Sequence, residues 1–100
     1  MVDDLASARY EQIENSGRSG RLSAVELKRA ITSYGRTLTP LPDRAWDLVD
    51  IYPSASNSRS WYLDLPLWTK EEGRSDLTLK VCLKESDTEI SVEIEDIRVL

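Results

Sequence analysis

The stretch LPLWTKEEGRSDLTLKV, residues 65–81, determines the fold that the sequence predicts. Apolar and polar residues alternate on both sides of a charged tip, KEEGR, which is the pattern of two strands joined by a turn. If Trp68 faces Asp76 across the tip, Leu65 lies opposite Leu79. A slip of one residue would set each apolar residue against a polar one, so the register is strongly specified.

The same alternation continues on both sides of this hairpin. It predicts an antiparallel meander of four strands, at about 48–52, 61–68, 76–84 and 89–99. Closing the last turn over ESDT pairs three residues of the third strand with three of the fourth: Leu83 with Ile90, Val81 with Val92, and Leu79 with Ile94. Ile97 and Val99 then fall out of step, which predicts a bulge near Glu95-Asp96.

Two amphipathic helices, at about 2–14 and 23–34, precede the strands. The second begins at Ser23, with Glu26 placed to complete a capping box, and ends before Gly35, which suits a left-handed stop. One face of the meander is uniformly apolar, so the helices are expected to cover it. The sequence therefore predicts an α+β fold, two N-terminal helices on a four-stranded antiparallel meander, as a single domain over 1–100.

Composition and charge restrict the function. The 100 residues include 18 Asp and Glu against 13 Lys and Arg, a formal net charge of −5. This charge disfavours nucleic acids and anionic membranes, and it permits a basic protein partner. No apolar run approaches the ~20 residues of a membrane span, the N-terminus lacks the apolar core of a signal peptide, and Cys82 is alone, so a cytoplasmic location is expected. The chain has no histidine, and no metal or cofactor is expected.

The polar face of the meander reads as a ladder of opposite charges. The register places Asp64 across from Lys80, Lys80 across from Glu93, and Lys84 across from Glu89. Asp64 is the carboxylate of the sheet that would be the first candidate for a catalytic role. Because of this pairing, it is expected to be only a solvated ion-pair partner. Cys82 lies between two lysines on this face and is expected to be a half-exposed spectator thiol. The same outward face could pair two copies of the chain as a homodimer.

Two helices followed by a long-stranded meander resemble the cystatin-like α+β roll of ketosteroid isomerase, scytalone dehydratase and the nuclear transport factor superfamily. In detail, the chain looks like a small bacterial family of unknown function. The resemblance covers nearly the whole chain: LASARYEQIENSGRSGRLSAVELKRAITSYGRTLTPLPDRAWDLVDIY, LDLPLWTKEEGRSDLTL and the closing VEIEDIRVL. Its most specific motif is the hairpin 67–77. The resemblance implies a fold and no established activity.

Enzymes with the roll are similar in placing a base and an oxyanion donor in the cone between sheet and helices. The interior positions expected here are apolar: Trp61, Leu63, Leu65, Leu67, Leu77, Leu79, Val81, Leu83, Ile90, Val92 and Ile94. Tyr10 and Tyr34 could donate hydrogen bonds there, but no carboxylate or histidine accompanies them. A small-ligand carrier or enzyme that uses Tyr10, Tyr34 and Trp61 is therefore the alternative, and no catalytic residue is predicted.

The charged tip is the candidate binding surface. The register brings tryptophan, arginine and acidic residues to one end of the sheet, a composition typical of interface hot spots. The candidate residues are Trp46, Trp68, Glu71, Glu72, Arg74, Asp76 and Arg98. The competing interpretation is a turn whose charges only keep it soluble. We expect a non-catalytic binding module, in its most concrete form an immunity-type protein that neutralises a cognate basic toxin.

Overall fold

A computed structural model describes residues 1–55 and 59–99. Its helices are α1 (Val2–Ala6), α2 (Tyr10–Asn15) and α3 (Ala24–Tyr34), with a short 3-10 helix at Asp43–Leu48. Its strands are β1 (Leu38–Thr39), β2 (Asp50–Pro53), β3 (Ser60–Thr69), β4 (Gly73–Glu85) and β5 (Ile90–Val99). The predicted α+β fold, N-terminal helices followed by an antiparallel sheet, is confirmed.

The sheet has the order β1–β3–β4–β5, and β2 also pairs with β3. β1 lies beside Trp68 and Thr69, whereas β2 lies beside the residues from Trp61 to Asp64, so these two short strands share one edge of β3. Residues 1–55 and 59–99 thus form five strands, where four were predicted. The additional strand, β1, has two residues, too few to show an alternating pattern.

The predicted pairing of β3 with β4 is confirmed along most of its length, and Leu65 lies opposite Leu79. The end next to the tip differs, because Trp68 lies opposite Arg74 and not Asp76. The ladder is interrupted between Pro66 and Trp68, where the buried Ser75 hydroxyl donates to the Leu67 carbonyl at 2.7 Å. This side-chain bond satisfies a carbonyl where the strand pairing breaks.

The pairing of β4 with β5 is shifted by two residues from the prediction. The observed partners are Leu83 with Val92 and Val81 with Ile94; past the bulge the shift grows by one more residue, and Leu79 lies opposite Ile97. The turn lies one residue further on than predicted, closed by a 2.8 Å bond from the Ser86 amide to the Glu89 carbonyl. A shift of two leaves every side chain on its predicted face, because strand side chains alternate with a period of two. The predicted bulge is confirmed, with Glu95 as the extra residue.

The predicted first helix, 2–14, is two short helices. The chain turns at Ala8, which has a φ of 60°, and α2 starts at Tyr10. The second predicted helix is present as α3. Its capping box is formed by the Glu26 amide bonding to the Ser23 hydroxyl and the Ser23 amide bonding to the Glu26 carboxylate, both at 3.1 Å. Gly35 ends it in the left-handed conformation, as predicted.

The core lies between the helices and one face of the sheet. Its buried members are Leu5, Ile13, Leu27, Ile31, Leu38, Leu65, Leu67, Leu77, Leu79, Val81, Ile94 and Ile97. Two residues expected in this interior are exposed instead: Ile90 by 66% and Val92 by 39%. The apolar face therefore extends beyond the part that the helices cover, toward the turn between β4 and β5.

Candidate functional site

The turn between β3 and β4, residues 70–72, is the first part of the predicted KEEGR tip. These three residues, called the tip from here on, are bonded to the segment that follows α3. The Glu71 carboxylate accepts from the Thr37 amide at 2.9 Å, and the Lys70 amide donates to the Thr37 carbonyl at 2.9 Å. The Glu72 carboxylate accepts from the Tyr34 hydroxyl at 2.8 Å and lies 3.3 Å from the Arg36 guanidinium. Both acidic side chains of the tip are thus used inside the molecule.

The hydrogen bond from the Thr37 amide has an electrostatic consequence. This bond has the largest effect on the pKa of Glu71 and outweighs the raising effect of burial. With smaller contributions from the Glu71 backbone, the Thr37 hydroxyl and the charge of Arg36, the pKa is lowered below its usual value. The charged form of Glu71 is therefore the form that holds the tip in place.

Trp68 is packed on the sheet and is not a free anchor. The Arg44 guanidinium carbon lies 4.9 Å from the centre of its indole ring, a cation–π arrangement, and Gly73 lies against the ring edge. The Trp68 Nε1 atom is buried and has no hydrogen-bond partner among the described residues. The half-buried indole thus covers the sheet beside the tip.

The seven predicted surface residues do not form one surface. Arg74 lies directly opposite Trp68, and the Asp76 amide donates to the Tyr34 hydroxyl at 3.2 Å, so these residues lie near the tip. Arg98 is exposed on β5, opposite Thr78. Trp46 is separate, because the 3-10 helix places it against the apolar face of the sheet.

There Trp46 borders an open apolar cleft of about 380 Å³. The cleft is lined by Met1, Val2, Asp3, Leu41, Trp46, Leu63, Leu65, Leu79, Val81, Leu83 and Val92. The indole of Trp46 is 55% exposed, and the paired residues Leu83 and Val92 mark the end of the cleft next to the β4–β5 turn. This is the part of the apolar sheet face that the helices leave open.

The residues predicted to line a ligand cone do not line this cleft. Tyr10 lies in a surface depression beside α3, where partial burial raises its pKa. Tyr34 bonds to the tip through Glu72. Trp61, at the start of β3, is likewise outside the described lining of the cleft. The structure therefore contains a cleft between helices and sheet, but with a different set of residues from the one predicted.

The end of the sheet beyond the cleft is strongly acidic. Residues 84–96, called here the acidic hairpin, contain six carboxylates and one lysine. This local excess equals the net charge of the whole chain, −5, so the remaining residues balance one another. Sequence reasoning treated the charge as a property of the whole chain, although counting charges by segment would have located it.

Several of these carboxylates have partners. The Glu93 carboxylate lies 2.9 Å from the Lys84 ammonium and raises the pKa of Lys84 by hydrogen bonding and by charge. Asp87 lies 2.9 Å from Arg59. Glu95, at the bulge, lies 3.7 Å from Arg21. Glu89 is exposed and has no ion pair among the described residues. Glu85 also lies 3.8 Å from Arg59. In the described part of the chain, three cations, Lys84, Arg59 and Arg21, thus face six carboxylates, and the acidic hairpin retains an excess of negative charge.

The polar face of the sheet differs from the predicted charge ladder. Lys80 lies opposite Asp64 as expected, but its ammonium rests 4.8 Å from the centre of the Tyr62 ring, and Asp64 accepts from the Tyr52 hydroxyl at 3.3 Å. On the other side Lys80 faces Asp96 and not Glu93. Lys84, in turn, faces Ser91 and not Glu89, because of the two-residue shift of β5.

Cys82 is buried on this face, where a half-exposed thiol was expected. Its burial raises the pKa of the thiol, an effect larger than the lowering by Lys84. The thiol is therefore a poor nucleophile at neutral pH. Within residues 1–55 and 59–99, no three acidic or thiol side chains are arranged to hold a metal ion.

These features define an α+β domain with an antiparallel sheet, an apolar cleft on one face of that sheet and an acidic end. The family model described as "Domain of unknown function (DUF7668)" matches residues 2–100, and the chain belongs to that family. No curated protein and no solved structure matches the chain. Among the described residues, no helix has both the length and the apolar character needed to cross a bilayer.

Proposed function

We propose that this chain is a non-catalytic protein-binding module on a cystatin-like roll, acting in the bacterial cytoplasm as an immunity-type protein that neutralises a cognate basic toxin. The observation that supports this proposal most is the position of the net charge. All of the excess negative charge belongs to the acidic hairpin, beside an apolar cleft that the helices leave open.

Apolar contact area beside a charged rim is the usual composition of a protein interface. The apolar part supplies binding energy, and the charges steer the encounter. Trp46 and Val92 provide exposed apolar side chains at the cleft, and tryptophan is the residue type most enriched among interface hot spots. A partner with a basic surface and an apolar projection would fit both parts of this site.

The position of the site is revised from the sequence prediction. Glu71 and Glu72 hold the tip against Thr37, Tyr34 and Arg36, so a partner would have to break these bonds to use them. Trp46 is the one residue of the predicted surface that lies at the proposed site.

The test begins with the product of the gene next to the one that encodes this chain. If it is a toxin, its expression should stop growth, and this chain should restore growth and bind the toxin in a purified system. Trp46→Ala should weaken binding by about 30-fold or more, since truncating an aromatic anchor costs ~2 kcal/mol or more. A neighbouring product that does not inhibit growth, or that this chain does not bind, would contradict the immunity proposal.

Charge variants distinguish electrostatic steering of the partner by the acidic hairpin from a general effect of net charge on the association rate. Glu89→Lys should slow association at low ionic strength, because Glu89 lies in the acidic hairpin. Glu14→Lys makes the same change in net charge on α2, where Glu14 is exposed, and should leave association almost unchanged. Equal slowing by both variants would show that only the total charge matters.

A second candidate is a carrier of a small apolar ligand. The cleft volume of about 380 Å³ lies within the ~300–1,000 Å³ range of small-molecule sites. Titration with the uncharged dye Nile red checks this candidate. Saturable fluorescence that is lost in Val92→Lys would support it, and weak binding equal in both proteins would contradict it.

A further inference from the structure

On the outer edge of β5, the backbone of Ile94 is hydrogen-bonded to another segment, whereas the backbone just before it has no such bond from the described residues. The Ile94 amide donates to the Arg18 carbonyl, outside the sheet, at 2.6 Å, so the backbone groups of Ile94 point away from β4. In an antiparallel ladder, the backbone N–H and C=O groups of every second residue point to the same side of the strand. The N–H and C=O groups of Ile90 and Val92 therefore face the same outer edge, and none of the described residues bonds to them there.

The side chains at this open edge divide into two kinds. Ile90 and Val92 lie on the face of the buried Ile94, toward the apolar cleft, and both are exposed. The side chains of Ser91 and Glu93 lie on the other face of the sheet. Their partners on β4 are Lys84 and Cys82. An added strand would therefore meet apolar side chains on one face and a carboxylate on the other.

The other edge of the sheet lacks this combination. It is made of two short strands, β1 with two residues and β2 with four, and β2 ends at Pro53. Short strands and proline are common means of preventing strand addition. The segment 90–93 belongs to β5, which has ten residues and no proline, and it contains two exposed β-branched residues, Ile90 and Val92.

We propose that an extended segment of the basic partner adds to β5 as an antiparallel strand along residues 90–93. Its alternate apolar side chains lie against Ile90 and Val92 and reach the cleft, and its basic side chains lie on the side of Glu93. Backbone bonds then supply affinity, and the two faces supply specificity. This inference rests on the proposed function, since it specifies how that site recognises its partner.

Charge decides between a basic partner and a second copy of this chain. Pairing two copies through β5 would bring together two acidic hairpins, each with six carboxylates and one lysine. Like charges across neighbouring strands are destabilising. A basic strand instead meets an excess of opposite charge, and it lies beside Glu89, which has no ion pair among the described residues.

The probe is the end-capped peptide Lys-Val-Lys-Val-Lys-Val-Lys, whose affinity for the full chain is measured by calorimetry. In antiparallel pairing, the valines that face the cleft side are also the residues whose amides bond to β5. N-methylation of the valine amides should lower affinity by roughly tenfold or more, because it removes backbone hydrogen bonds. N-methylation of the lysine amides should leave affinity within about twofold, since those amides point away from β5.

Two further controls separate pairing from charge attraction. The peptide Lys-Lys-Lys-Lys-Val-Val-Val has the same composition without alternation and should bind at least about tenfold more weakly. On the protein, Ile90→Pro removes an amide that faces the open edge, which an edge strand tolerates, whereas Ile90→Ala keeps that amide. The proline variant should bind roughly 2- to 10-fold more weakly than the alanine variant.

Equal affinity of the two N-methylated peptides, or of the alternating and block peptides, would overturn strand addition. These peptide comparisons need only the wild-type protein, so they remain valid even if the proline variant does not fold. A chain that dimerises alone, and whose dimer Ile90→Pro dissociates, would assign the edge to a second copy and also overturn the proposal. If strand addition fails while the neighbouring toxin still binds in a manner sensitive to Glu89→Lys, the proposed function stands.

Discussion

β4 connects two turns that look alike in composition and differ in structure. The tip at its start and the acidic hairpin at its end are both rich in charged residues. At the tip, the carboxylates bond to the amide of Thr37 and to the side chains of Tyr34 and Arg36. At the acidic hairpin, Lys84, Arg59 and Arg21 pair with only part of the six carboxylates, and Glu89 is exposed with no ion pair among the described residues.

The two turns differ in whether their charged groups are already bonded within the molecule. Charged side chains near a tryptophan indicate a binding surface only if those groups are available to a partner. The tip has the suggestive composition, but its groups stabilise the fold. The composition of the acidic hairpin is less typical of an interface hot spot. It nevertheless retains excess charge beside exposed apolar residues, and so it is the better candidate for recognition.

The largest expected effect concerns the strand that carries both turns. Leu79 lies in the middle of β4 and is 1% exposed. Leu79→Ala should lower the free energy of unfolding by ~2–5 kcal/mol, because it leaves a cavity in the core. Chemical denaturation measures this change. Val99→Ala, at an exposed position, is the control and should change stability by less than about 0.5 kcal/mol; a similar loss in both variants would contradict the described core.

A smaller effect should appear at the tip. The Tyr34 hydroxyl donates to Glu72 and accepts from the Asp76 amide, so it joins α3 to both sides of the tip. Tyr34→Phe should lower the free energy of unfolding by about 1 kcal/mol, the usual net value of a hydrogen bond. Tyr52→Phe, which removes a longer bond to Asp64, is the matched control. Unchanged stability in Tyr34→Phe would show that the tip is not held by these bonds.

Acid should loosen the tip. Hydrogen bonds from Thr37 lower the pKa of folded Glu71 below its ordinary value of 4.5. A lowered folded-state pKa contributes stability above pH 4.5, which is lost as pH falls below 4.5 through the folded pKa. The protection of the tip amides against exchange, measured relative to the intrinsic exchange rate at each pH, should therefore fall over that range. Glu71→Gln should already exchange faster at neutral pH and show a weaker pH dependence there; an identical pH profile would exclude the role given to Glu71.

The smallest effect on stability is expected at the acidic hairpin. Glu89→Gln removes a charge that has no ion pair among the described residues, so stability should change by less than about 0.5 kcal/mol. Thermal unfolding at low ionic strength measures it. A clear loss of stability in Glu89→Gln would mean that the acidic hairpin, like the tip, uses its charges internally.

Sequence patterns predicted the features that depend on local periodicity. The alternation around Leu65 and Leu79 fixed the central register, and the capping box at Ser23 and Glu26 fixed the start of α3. The two-residue shift of β5 was not predictable from alternation, because a shift of two leaves the apolar face unchanged. The break at Ala8 has neither glycine nor proline to signal it.

The site was harder to predict because it depends on contacts between distant parts of the chain. Thr37 and Glu71 are 34 positions apart, and no local pattern shows that they bond. The cleft exists because the short helices leave Val92 and Ile90 uncovered, which depends on the lengths and docking of the helices. The charge of residues 84–96, in contrast, was readable from the sequence alone.

We propose that recognition occurs at the acidic hairpin and the cleft and not at the tip. Titration of the ¹⁵N-labelled chain with Lys-Val-Lys-Val-Lys-Val-Lys, followed by amide chemical shifts, tests it most directly. The largest changes should occur at residues 90–93 and at the Trp46 indole, with residues 70–74 almost unmoved. Saturable changes centred on residues 70–74, with residues 90–93 unmoved, would contradict the claim.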